Sequence, residues 1–189
     1  MNKKLYVVST QVQDTIVVGG IRDGAIFIQT VKQIKSVGSE QFKQIKAEMF
    51  AYKQRGFTVV VNEPLQRFAP GFNRCLLSEK DANDEPRLIS ALTAYQQFSQ
   101  RKAIVYAKGC RRIDIPTTVY EKVVDDKGQI SFRIDWDMID ESVLALLTLI
   151  YSAVYHISTE ANYLKTVFNE LNKKRIKQSF IKTKGNGFL

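Results

Sequence analysis

The sequence predicts an α/β fold, one mixed sheet with helices on both faces, and three observations carry that prediction. Three strand-like segments follow one another before any helical pattern begins. "FTVVV" (57–61) is apolar at successive positions with no polar alternation, as a strand covered on both faces requires. "VLALLTLIYSAVYHI" (143–157) is apolar on most faces of a helix and therefore has to be buried.

Taken in order, "LYVVSTQV" (5–12) reads as a strand and Gln13-Asp14 as a turn. "TIVVGGI" (15–21) reads as a second strand, Asp23-Gly24 as a hairpin turn, and the alternating "AIFIQTVKQI" (25–34) as a third strand. Ser39 is placed to cap a helix whose inner face is Phe42, Ile45, Met49 and Tyr52, and Gly56 stops it. The Val-rich strand 57–61 then runs into Asn62, Glu63 and Pro64, and Pro cannot continue a ladder. After a loop with Pro64, Pro70 and Gly71, a second helix is expected, capped by Asp84 or Glu85, with Pro86 in its first turn. Its apolar face is Leu88, Leu92, Tyr95 and Phe98. "KAIVYA" (102–107) follows as a strand, and "TTVYEKVV" (117–124) pairs with "QISFRID" (129–135) in a hairpin. A long helix is expected from about Asp137 to His156, and a last one, capped by Ser158 or Thr159, carries Leu164, Val167, Phe168 and Leu171 on its inner face. The spacing predicts a domain over 1–157 and a C-terminal helix with a basic tail over 158–189.

Charge narrows the function. The chain of 189 residues carries 28 Lys and Arg against 19 Asp and Glu, a net +9, which favours a polyanionic partner, nucleic acid first. More than half of that excess lies from Thr159 onward, where Lys165, Lys173, Lys174, Arg175, Lys177, Lys182 and Lys184 face only Glu160 and Glu170. The tail cations at 173–184, together with Arg111 and Arg112, are the candidate phosphate contacts. Phe180 and Phe188 in the same tail suit stacking on bases or docking on a protein. Two cysteines without a CxxC pattern and a single histidine, His156, argue against a disulfide framework and against zinc. The apolar run after "MNKK" is too short for a signal peptide, and 143–157 falls short of the roughly 20 residues that span a bilayer, so a cytoplasmic protein with no membrane partner is expected.

Acidic residues cluster against this basic background. Asp135, Asp137, Asp140 and Glu141 stand within seven residues at the start of the long helix, and Glu63 ends the buried strand. Each has an ordinary explanation, as a helix cap, a partner of the helix dipole or a strand exit. Glu48, on the first helix, is read as a solvated flank that joins a site only if the helix turns it inward.

The element order resembles that of the ribonuclease H-like fold. More narrowly, "KLYVVSTQVQDTIVVGGIRDGAIFIQTVKQI" (4–34) with "EQFKQIKAEMFAYKQRGFTVVVNEP" (40–64) is similar to the front of the nuclease domain of phage terminase large subunits, and "DMIDESVLALL" (137–147) is similar to the helix that closes their site. The resemblance implies a ribonuclease H-like fold and a phage-encoded protein in the host cytoplasm. It also implies hydrolysis of a phosphodiester in nucleic acid, DNA foremost, with Mg or Mn held by carboxylates, because hard divalent ions prefer oxygen donors. On this chain the ligands and catalytic residues it implies are Glu63, Asp137 and Asp140. The pattern departs at the first strand, where an Asp is expected and Ser9 and Thr10 stand; the nearest acid is Asp14. The chain has no GxxxxGK[ST] phosphate loop. Two readings follow from that departure: a Mg- or Mn-dependent endonuclease, or a catalytically inactive relative that binds nucleic acid or another phage protein through the C-terminal helix and tail.

Overall fold

The structure, a computed structural model, describes residues 3–10, 13–35, 39–61, 72–81, 84–116, 118–128 and 130–155. Glu63, His156 and everything C-terminal to it, including the cations from Lys173 to Lys184, lie outside the described residues.

The first three strands form where the apolar alternation places them: β1 (Lys3–Thr10), β2 (Gln13–Arg22) and β3 (Ala25–Lys35), an antiparallel meander with the Asp23-Gly24 turn between β2 and β3. Helix α1 (Ser39–Gln54) follows. It ends as Gly56 enters a left-handed conformation at φ 80°, so that the Gly56 N–H reaches the Lys53 carbonyl and the Phe57 N–H reaches that of Tyr52, a paired C-terminal cap. Strand β4 (Thr58–Val61) then lies parallel to β1, with Val60 turned to one face and Val59 and Val61 to the other, all three buried. This is the two-sided burial that its unbroken run of Val requires.

The remaining elements are a two-residue strand β5 (Asn73–Arg74), helix α2 (Arg87–Gln100), strand β6 (Ile104–Tyr106), the β7 (Tyr120–Val124) and β8 (Ile130–Ile134) hairpin, a 3-10 turn (Trp136–Met138) and helix α3 (Glu141–Tyr155). The main sheet has the order β5-β4-β1-β2-β3-β6, and β7-β8 form a sheet of their own. Strands β4, β5 and β6 are each parallel to their neighbours, beside the antiparallel meander. A mixed sheet with helices on both faces is the arrangement that the element order anticipates.

Two cores result. On one face α2 and α3 cover Leu5, Val7, Val17, Ile26, Ile28 and Val60. Leu146, Leu147, Leu149 and Ile150 of α3 have no exposed surface, and burial of each contributes about 1.5–3 kcal/mol. The helix comes this close because β2 offers Gly19: a Cβ there would stand 2.4 Å from the Phe27 carbonyl oxygen and 3.3 Å from a Leu149 methyl. On the other face Ile45 and Met49 of α1 pack on Tyr6, Val8, Ile16, Val18, Val59, Val61 and Phe72.

Several elements differ from expectation, each for a local reason. The alternation of β3 breaks at a bulge: Thr30 pairs with Val18 and Ile28 with Gly19, leaving Gln29 as the extra residue. The bulge lets Ile28 and Val31, three apart, join the same core. Strand β5 is too short to leave a periodicity. Helix α2 starts behind Pro86, with no side-chain cap; Asp84 sits at φ 64° and takes Lys80 at 2.9 Å instead, while Asp81 accepts the Glu85 N–H. The long helix does not begin at Asp137, because two short caps share its start. Asp135 accepts the Asp137 N–H and caps the 3-10 turn, Ile139 returns to extended backbone, and only then does Asp140 open α3.

Candidate functional site

The register of the sheet decides which chemistry converges. Position 9 of β1 pairs with Thr15 of β2, and Thr15 pairs with Gln33 of β3. Val8 pairs with Val61, the end of β4. The C-terminal ends of β1, β3 and β4 therefore share one end of the sheet. Helix α3 is fixed to that end by its first turn, where the Gln33 amide donates to the buried Ser142 hydroxyl at 2.7 Å. Gln33 also accepts a hydrogen bond from the Arg111 guanidinium through its Oε1. One glutamine thus ties a sequence-predicted cation and the N-terminus of the acid-bearing helix to the row that ends at position 9.

Asp140 stands at the start of that helix. Its Oδ1 accepts the Val143 N–H at 2.8 Å, the Ncap-to-N3 bond that satisfies an orphan donor of the first turn. Its side chain is otherwise exposed at the sheet end, with Glu141 next to it against the positive end of the helix dipole. Asp137 is placed differently. It lies in the 3-10 turn and lines a cavity of about 750 Å³ at the base of the β7-β8 hairpin, with Glu121, Arg133, Asp135 and Trp136. A helix beginning at Asp137 would put the two acids, three apart, on one face. Buried Ile139 separates them, as the extended residue between two caps. Glu48 is also accounted for: it pairs with Lys32 at 3.1 Å on the α1 face, opposite α3. Burial first, and then the Glu48 carboxylate, push the nearby Tyr6 phenol far above its ordinary range.

Arg112 is exposed in the same segment as Arg111. Among the described residues the Thr15 hydroxyl, in the middle of the row, is buried with no hydrogen-bond partner. Also among them, no group of three or more His, Cys, Asp and Glu side chains is placed to hold a metal ion. Asp140 brings one carboxylate with one oxygen already spent on a cap, so the described donors do not by themselves fit a two-ion site. No described helix is long and apolar enough to cross a membrane.

The sequence reading missed Gln33 and Ser142, which join the elements of this end. The signal was present in Gln33, a polar residue between the apolar Val31 and Ile34 of β3. It missed a second polar cluster too. Glu79 takes Arg74 of β5 at 2.5 Å and Arg87 of α2 at 2.8 Å, and Arg87 lies over the Tyr151 ring. That network links β5, α2 and α3.

No protein-family model matches the chain, and no curated protein does. Several solved structures are similar to it. A large terminase from a thermophilic bacteriophage is 12% identical over 81% of this chain, with a TM-score of 0.49, and the chain spans 40% of that protein's length. The large terminase nuclease from thermophilic phage G20c is 16% identical over 78% of this chain and 81% of its own, with a TM-score of 0.43. The large terminase nuclease domain of Thermus phage P74-26 is 14% identical over 77% of this chain and 78% of its own, with a TM-score of 0.40. Each of the three is a phage large terminase or the nuclease part of one.

Proposed function

We propose that this chain is a nucleic-acid-processing protein of the ribonuclease H-like, terminase-nuclease-like type, acting on DNA at the end of the sheet where β1, β3, β4 and the start of α3 meet. The observation that carries the reading is the Ser9–Thr15–Gln33 row, closed onto Ser142, because it brings Asp140 and Arg111 to the end at which β4 stops before Glu63. An acid and a guanidinium at one place suit a phosphodiester: the guanidinium takes a phosphate oxygen in a charge-assisted bond, and the carboxylate is a hard donor. Activity would use Mg or Mn and would require Glu63 and Asp140 together, with Asp137 a weaker contributor from the hairpin base. Arg112 and the cations Lys173, Lys174, Arg175, Lys177, Lys182 and Lys184 would hold the rest of the substrate.

The second reading, an inactive relative that binds nucleic acid or another phage protein, is favoured by Asp140 serving as a cap and by Ser9 and Thr10 at the end of β1. Incubation of supercoiled plasmid with Mn²⁺ separates the two. Nicking that falls at least about 100-fold in both Glu63→Gln and Asp140→Asn supports hydrolysis at this end. DNA binding with a steep salt slope and no nicking selects an inactive relative that binds nucleic acid, and a flat salt slope ends both nucleic-acid readings and leaves the relative that binds another phage protein.

A further inference from the structure

The other end of the sheet carries a second site. Helix α1 stops at Gln54, so the α1 face of the meander is uncovered beyond it. A cavity of about 520 Å³ opens there, lined by Lys4, Arg22, Arg55, the half-buried rings of Phe27 and Phe57, and the bulge residue Gln29. It lies at the end of the sheet away from position 9 of β1, five residues and about 16 Å along that strand at about 3.3 Å each. No carboxylate lines it among the described residues, and only Arg22 has an acidic neighbour, the exposed Asp23 at 3.3 Å. Lys4 and Arg55 lie over the Phe57 ring, at 5.7 and 5.9 Å from its centre.

From this lining we infer that the cavity binds a nucleotide unit of single-stranded nucleic acid, with the base against the Phe27 and Phe57 rings and the phosphate on Lys4 and Arg55. Three cations without a lining acid select an anion. Two rings between them select an anion with a flat, apolar face, and Gln29 supplies an amide for a base edge. A duplex is a poor fit, because its base faces are stacked on one another, whereas a single strand can offer a face to an aromatic ring. The site stands apart from the hydrolytic reading and does not need it.

Fluorescence anisotropy of the full chain with labelled (dT)12 tests the inference. Lys4→Gln/Arg55→Gln, at two exposed positions, should lower affinity about tenfold and reduce the salt slope by about 0.7, the one strand phosphate that the two cations share. Phe27→Leu keeps an apolar side chain and should lower affinity about fivefold with the salt slope unchanged. At matched ionic strength dTMP should displace the strand better than inorganic phosphate. Thermal melts of both variants within a few degrees of the parent show that folding is not the cause. Full affinity in Phe27→Leu, or equal displacement by dTMP and phosphate, overturns the site and leaves a basic surface without base recognition.

Discussion

The two faces of the central sheet are covered unequally, and the same stretch of β2 and β3 shows both treatments. Toward α3, Gly19 and Ile28 are sealed beneath Leu149. Toward α1, Gly19, Phe27 and Gln29 border an open cavity, because α1 ends before it reaches them. Helix α3, apolar on most faces, gains stability by closing its side of the sheet, while α1, with Ile45 and Met49 as its fully buried side chains, covers β1, β4 and Ile16 and Val18 of β2 and leaves the stretch from Gly19 open. Chemistry-bearing side chains gather where the cover stops.

Truncations on the two faces should separate them most widely. Leu149→Ala on the sealed face should cost about 2–5 kcal/mol in urea unfolding, against about 1 kcal/mol for Phe27→Ala on the open one; equal costs would break the contrast. Gly19→Ala comes next, at about 1–3 kcal/mol, because a Cβ there would stand 2.4 Å from the Phe27 carbonyl oxygen. Ser142→Ala should cost up to about 1 kcal/mol by removing the buried hydroxyl that accepts from the exposed Gln33 amide, and it should loosen Arg111 from the same end.

The smallest effects concern the thiols. Cys75 belongs to the α3 core, where burial pushes its thiol up to about 12, whereas Cys110 is half-buried and raised less. At pH 8 a thiol reagent should label Cys110 in the native protein and Cys75 only after unfolding, because the thiolate is the reacting form. The sign for stability follows. Above pH 9 the unfolded chain releases a proton that folded Cys75 keeps, so its contribution is complete below pH 9 and is lost as the pH rises toward 12. The alkaline fall in Tm should therefore be shallower in Cys75→Ala.

Much of the fold was readable residue by residue. The Asp23-Gly24 turn, the stop at Gly56 and the Val run of β4 each act within a few positions, and α3 had to be buried because no face of it is polar enough for water. Local chemistry also announced Asp140 and Arg111, as an acid at a helix start and a cation beside a strand. What the sequence could not carry is which of these meet. The split of Asp137 from Asp140 turns on two competing caps, and the choice between one long helix and a turn followed by a shorter one is settled by where Ile139 finds a core. The meeting of Arg111 with α3 runs through Gln33 and Ser142, which are 109 residues apart. Periodicity reports the surroundings of a residue along its own element, so strand order, register and the bulge at Gln29 belong to the tertiary structure, where contacts distant in sequence select one pairing among many.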